Sequence, residues 1–170
     1  EDDGMTSYDP TTDGLDFWES LEGMRVTLET PQAISNTNRY GETDLVVSGA
    51  TGLSDRGALA ISEGDWNPEM IQLDDRLFDQ PNLSIGDGLE SITGILGYGY
   101  NHYELVATQT ALIAQDVTLE RETTDLAGDA NHLTVASYDL SNLDPYDARF
   151  ASVAQDIVER MQAPDVIAVQ

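Results

Sequence analysis

The residues of this chain whose types could do chemistry fall into a few short stretches. Asp74-Asp75, with Asp79 close by, offers carboxylate oxygens to a hard cation such as calcium. The spacing does not follow the EF-hand pattern, however, and in a chain this acidic carboxylates cluster by chance. Gly97-Tyr98-Gly99-Tyr100-Asn101-His102 places Tyr98, Tyr100 and His102 together, and aromatic faces of this kind can stack on nucleic-acid bases. The competing reading has Tyr98, Tyr100 and Tyr103 packed on a β-barrel with His102 exposed, and the lack of basic neighbours favours it. Gly97 and Gly99 do not form a phosphate loop, because the full glycine pattern and a following helix are both missing. His132 has no partner visible in sequence. Asn142 lies in a Ser-Asn-Leu-Asp-Pro turn, where asparagine is common for conformational reasons alone.

Charge restricts what these groups can bind. Asp and Glu number 32 against 7 Lys and Arg, a formal net charge of -25, and every basic residue is arginine. Self-repulsion at this density suits surroundings where salt screens the surface, so a salt-adapted setting is expected. The charge argues against broad gripping of a phosphate backbone, since that requires Lys and Arg to displace counterions; a nucleic-acid contact would need metal ions or another domain. Cysteine is absent, which removes disulfides and thiolate metal sites. No apolar run approaches the ~18 residues of a membrane-spanning helix. Glu1-Asp2-Asp3-Gly4 lacks the basic and apolar regions of an export signal, as expected if such a signal was removed or if the chain is an internal piece.

The elements that must position these groups can be read from periodicity. Residues 1–22 form a polar tail and a short helix, with Leu15, Phe17, Trp18 and Leu21 at helical spacing and the helix ending at Gly23. Met24 to Ile34 alternates as a half-buried strand. Tyr40 to Val47 is a second strand ending at Ser48-Gly49, and residues 50–68 are an irregular excursion. Met70 to Leu73 is a short strand, with Asp74-Asp75 as the turn after it. Leu89 to Leu96 is a strand bulged or bent at Gly94. The glycine-tyrosine segment makes a hairpin to a partner strand, Tyr103 to Ala107. Gln109 to Leu119 is a last strand or an extended connector. Short strands with bends suit a small closed or nearly closed barrel over residues 23–119.

After a linker at 120–131 the pattern changes. Leu133 to Tyr138 is a strand, and Phe150, Val153, Ala154, Ile157, Val158 and Met161 recur at helical spacing. Ala163-Pro164-Asp165 breaks the helix before the apolar strand Val166 to Val169. Residues 132–170 therefore describe a β-α-β crossover whose apolar second strand belongs to a sheet covered on both faces.

The stretch from Leu133 through Pro145, with Ala148-Arg149-Phe150 and Ala163 to Gln170, resembles the opening of the endonuclease/exonuclease/phosphatase superfamily, most closely the branch of secreted bacterial nucleases. That family opens with a strand ending in a Phe-Asn pair, followed by a turn, a helix and a strand running into a metal-binding glutamate. Tyr138-Asp139 stand at the aromatic-asparagine pair, and Gln170 stands just before the expected glutamate. Leu21 to Leu28, Asn38 to Glu42, Ile71 to Asp75 and Thr93 to Tyr100 also look like the OB-like segment preceding the catalytic domain in such proteins.

The resemblance implies a mainly β chain: an OB-like barrel followed by a β-α-β fragment of an α/β four-layer sandwich. It implies an exported parent that cleaves DNA or RNA with Mg2+, Ca2+ or Mn2+. Asp139 would be a metal ligand of the intact enzyme and Asn142 a second oxygen donor in the same turn. Asp139 in place of asparagine still offers an oxygen but adds negative charge. With no glutamate, histidine and aspartate set to activate water, the chain alone is expected to be inactive and to need no cofactor. Its partners would be the remainder of the catalytic domain, associating through the exposed β-α-β. Two other readings stand beside this one: a stand-alone extracellular β-barrel module that binds a protein or a surface, and a phosphatase acting on lipid or sugar phosphate.

Overall fold

The computed structural model describes residues 7–47 and 50–170. The start of the expected tail and the Ser48-Gly49 strand end lie outside the described residues. The chain divides into two compact units, Glu1–Thr118 and Leu119–Gln170, and is mainly β.

In the first unit, α1 (Gly14–Leu21) begins where the Asp13 carboxylate accepts hydrogen bonds from the Leu15 and Asp16 amides at 2.8 and 3.2 Å. That satisfies amides which have no partner within the helix. Gly23, at φ +76°, ends the helical turn and donates its amide to the Leu96 carbonyl. The helix buries Trp18.

Eight strands follow: β1 (Arg25–Leu28), β2 (Gln32–Ala33), β3 (Thr43–Val46), β4 (Ile71–Asp74), β5 (Gly88–Leu89), β6 (Ile92–Gly99), β7 (His102–Ala107) and β8 (Ile113–Gln115). They form one sheet in the order β1-β6-β7-β4-β3-β2-β5-β8, a curled half-barrel. Every neighbouring pair is antiparallel except β4 and β7, which run parallel. The concave face buries Leu45, Ile71, Leu73, Leu89, Leu96 and Leu105, all at 1% exposure or less.

Some elements differ from the pattern read in sequence. The strand expected from Met24 to Ile34 is two strands, because the chain turns at Thr30 (φ 42°) and Pro31. The segment from Tyr40 is a turn up to Glu42, built on the Asn38 side-chain oxygen, which accepts from the Tyr40 and Glu42 amides. Asp74 is the last residue of β4 and is buried, so the turn starts after it. Gly94 does not mark a bulge: its register with β1 and β7 is continuous, and the irregularity falls between Gly88 and Leu89.

The β6–β7 hairpin closes through Tyr100 and Asn101, both in the left-handed region (φ 50° and 71°), the pattern of a type I′ turn. Tyrosine is a poor residue there, and Tyr100 is 89% exposed, so it contributes almost no burial in return. Tyr100→Asn is expected to raise stability by about 1 kcal/mol, the lower end of the cost of a non-glycine left-handed residue. A higher urea midpoint at unchanged slope is the measurement.

In the second unit, β9 (Val135–Tyr138) and β10 (Val166–Val169) pair in parallel, Val135 with Val166 through Tyr138 with Val169. The helix between them, α2 (Phe150–Gln155), passes into a π-helical turn over Asp156–Arg160. Strand, helix and parallel strand are thus present, yet no residue of this unit is buried. Leu126, Leu133 and Val135 are more than 70% exposed, and Val158, Val166 and Val169 about half or more. No helix among the described residues is long and apolar enough to cross a membrane.

Candidate functional site

Asp139 stands immediately past the end of β9. The Gln170 amide donates to the Tyr138 carbonyl and the Leu140 amide to the Gln170 carbonyl, so the chain after β9 and the chain after β10 run side by side. Asp139 therefore lies at the carboxyl edge of a parallel strand pair, the edge at which α/β sheets gather ligands. Its Oδ1 accepts from the Ser141 amide at 2.7 Å, and Ser141 and Asn142 are both left-handed (φ 47° and 57°). Asp139 and Asn142 thus share one tight turn.

The strand end is anchored from the helix side. The Tyr138 hydroxyl donates to Asp156 Oδ2 at 3.0 Å, and Arg121 Nη1 meets both Asp156 oxygens at 2.6 and 2.7 Å. The Arg121 guanidinium holds the Asp156 carboxyl below the usual aspartate range, and the bond to Asp156 pushes the Tyr138 phenol up. Nothing in the sequence pattern paired Tyr138 with Asp156. Among the described residues no group of three or more His, Asp or Glu side chains comes together to hold a metal. His132 makes an exposed pair with Asp129, its Nδ1 2.9 Å from Oδ1.

The hairpin residues do not share one surface. Tyr98 and Tyr103 are cross-strand partners in edge-to-face contact, ring centres 5.0 Å apart, and Tyr103 continues to Trp18 at 6.5 Å. Tyr100 stands out at the turn. His102, one residue before Tyr103, points to the opposite face of the sheet by strand alternation. Burial, and then the carboxylates of Glu19 and Glu22, push the Tyr103 phenol up, so the aromatic end of the sheet is electronegative.

Among the described residues, the ion pairs with the most buried carboxylates are ones that sequence reading missed. On the convex face, Asp74 of β4 and Glu104 of β7 are 3% and 4% exposed, brought together by the parallel pairing that places Gln72 beside Glu104. Arg76 Nη2 lies 2.9 Å from Asp74 Oδ2 and 3.1 Å from both Glu104 oxygens, and the Arg76 amide donates to Asp74 Oδ1 at 2.6 Å. Burial pushes the Glu104 carboxyl up, a hydrogen bond with Asp74 adds to this, and Arg76 opposes both. Gly99 leaves the room: a Cβ there would come within 2.8 Å of Glu104 Oε1. The signal available in sequence was a lone arginine two residues past a strand-ending aspartate.

Comparison with curated proteins and with solved structures gives no match. A family model does match, over residues 2–117, nearly the whole of the first unit and none of the second. The chain belongs to the family described as Domain of unknown function (DUF8508).

Proposed function

We propose that Leu119–Gln170 is the opening β-α-β of an extracellular, metal-dependent phosphodiesterase acting on DNA or RNA, and that Glu1–Thr118 is its non-catalytic accessory domain. One observation carries this reading: a parallel strand pair with a crossover helix leaves its apolar side chains in solvent while presenting Asp139 at its carboxyl edge. A sheet of this kind normally has both faces covered, which calls for further strands and helices supplied by the rest of a catalytic domain. The proposal also rests on the sequence resemblance at Tyr138-Asp139.

Asp139 offers a carboxylate and Asn142 an amide oxygen, a partial donor set for a cation that takes six or more oxygens. When bound, such a cation polarises a phosphoryl oxygen and lowers the pKa of an attacking water. Within this chain the Tyr138–Asp156–Arg121 network holds the strand end that carries Asp139.

The test is hydrolysis of DNA and RNA by the longer protein that carries this chain, with Mg2+, Mn2+ or Ca2+ and with chelator. Cleavage that needs the metal, by the longer protein and not by residues 1–170 alone, is the expected result. A longer protein that cuts neither nucleic acid would end the proposal. A second reading, a stand-alone interaction module, is favoured by the complete core of the first unit and the confinement of the family match to it.

A further inference from the structure

A cleft of about 450 Å³ opens on the first unit between the segment before α1, the first turns of that helix and the loop around Pro68. Its apolar wall is Phe17, Trp18, Val47, Pro10 and Pro68, with Phe17 and Trp18 edge-to-face at 5.2 Å. Its charged groups are Asp13, Asp65 and Glu69, and no arginine or histidine is among the described residues that line it.

The side-chain donors in that wall already bond to protein acceptors. Trp18 Nε1 donates to the Pro68 carbonyl at 2.7 Å and Thr51 Oγ1 to Asp65 Oδ2 at 3.0 Å. Thr11 Oγ1 and Thr12 Oγ1 donate to the Asp9 carboxylate at 2.5 and 2.9 Å. The start of α1 would by itself attract an anion, but the Asp13 carboxylate caps its amides and cancels that preference. What remains for a ligand among the described residues is the exposed Phe17 ring backed by the buried Trp18, aliphatic carbon and carboxylate oxygens.

That combination selects a particular chemistry. An anion meets three carboxylates, and among the described residues of the wall a neutral polar molecule finds no side-chain donor that is not already bonded. An inorganic cation gains nothing from the apolar wall and finds no clustered ligand set among the described residues. A cation whose charge is spread over a carbon surface satisfies both parts of the wall, through aromatic faces and diffuse ion pairing.

We infer that this cleft binds an alkylated ammonium group, as carried by a small organic cation. The inference is independent of the phosphodiesterase proposal, since it concerns the other unit.

Choline is the probe, titrated into the whole chain by calorimetry in about 1 M NaCl, where the Debye length falls to ~3 Å and attraction to net charge alone is suppressed. Its uncharged carbon isostere, 3,3-dimethylbutan-1-ol, is the comparison. Saturable choline binding, at least about ten-fold tighter than the alcohol and weakened about five-fold by Phe17→Ala, is expected from a cation–π contribution of ordinary size, and Glu69→Gln, which removes a carboxylate from the wall, should weaken it in the same direction. Glu90→Gln, on an exposed glutamate that does not line the cleft, should leave binding unchanged. Equal binding of alcohol and choline, equal weakening by Glu90→Gln, or no saturable binding overturns the inference. Phosphatidylcholine vesicles distinguish the source: binding of free choline without co-sedimentation supports the small cation, and co-sedimentation blocked by Phe17→Ala assigns the group to a lipid surface and overturns it.

Discussion

Arg76→Ala is expected to destabilise the first unit by about 2 kcal/mol near neutral pH and by far less in mild acid. Removing one partner of a buried ion pair commonly costs about 3–5 kcal/mol, and the figure is reduced here because the Arg76 side chain is 54% exposed and partly screened. What the variant leaves behind is Asp74 and Glu104, two buried carboxyls without their cation. The sign with pH follows from Glu104, whose carboxyl titrates above its ordinary value of 4.5 in the folded chain. The folded state holds that proton more tightly than the unfolded state. Its contribution to stability is therefore complete below the unfolded value and is lost as pH rises through the folded one. Taking Arg76 away removes the influence that pulls Glu104 down, so the loss extends to higher pH and grows. Glu104→Gln, which cannot ionise, should recover most of the loss in the double variant.

The measurement is the difference between variant and parent in urea unfolding at several pH values. That difference cancels the general repulsion of a chain carrying a net charge of -25. Both tryptophans, Trp18 and Trp66, belong to the first unit, so their fluorescence reads its unfolding. An Arg76→Ala effect that is constant with pH would show that the arginine acts only through packing of its stem.

The same cluster shows where sequence reading stops. Alternation along β1 and β7, helical spacing in α1 and the glycine-tyrosine turn are local, and each was legible because a side chain's face follows from its position in the strand or helix. The parallel β9–β10 unit was legible for the same reason, from an apolar strand after a broken helix. The meeting of Asp74 with Glu104 depends on β4 lying parallel to β7, a pairing between distant segments that periodicity cannot report. Asp74-Asp75 looked like a solvated turn because acids usually mark turns, and only the buried partner strand makes Asp74 an interior residue. The two-residue strands β2 and β5 are too short for any period. At the proposed metal edge, Asp139 and Asn142 were singled out from the resemblance, whereas Tyr138, Asp156 and Arg121 meet only once the helix folds over the strand.

Glycines within one strand provide the second large effect, with opposite signs expected at neighbouring sites. Strand glycines are ordinarily improved by alanine, which lowers the entropy of the unfolded chain by about 0.4–1 kcal/mol. Gly97 of β6 should follow that rule, because an added Cβ would lie 3.5 Å from Glu104 Oε1, an ordinary contact. Gly94, three residues earlier, should break it. A Cβ there would come 2.7 Å from Leu105 Cγ and 2.7 Å from the Val106 carbonyl oxygen. Leu105 is fully buried and the carbonyl belongs to the neighbouring strand, so neither can withdraw without moving β7. Gly94→Ala is accordingly expected to cost about 2–3 kcal/mol, the upper range for overpacking a core, while Gly97→Ala is neutral or slightly stabilising. Because Gly94 pairs with Val26 as well as Ala107, the displacement has no free edge through which to relax. Urea midpoints of the two variants side by side decide it: similar values would mean that β6 and β7 do not approach as closely as the core of this half-barrel requires.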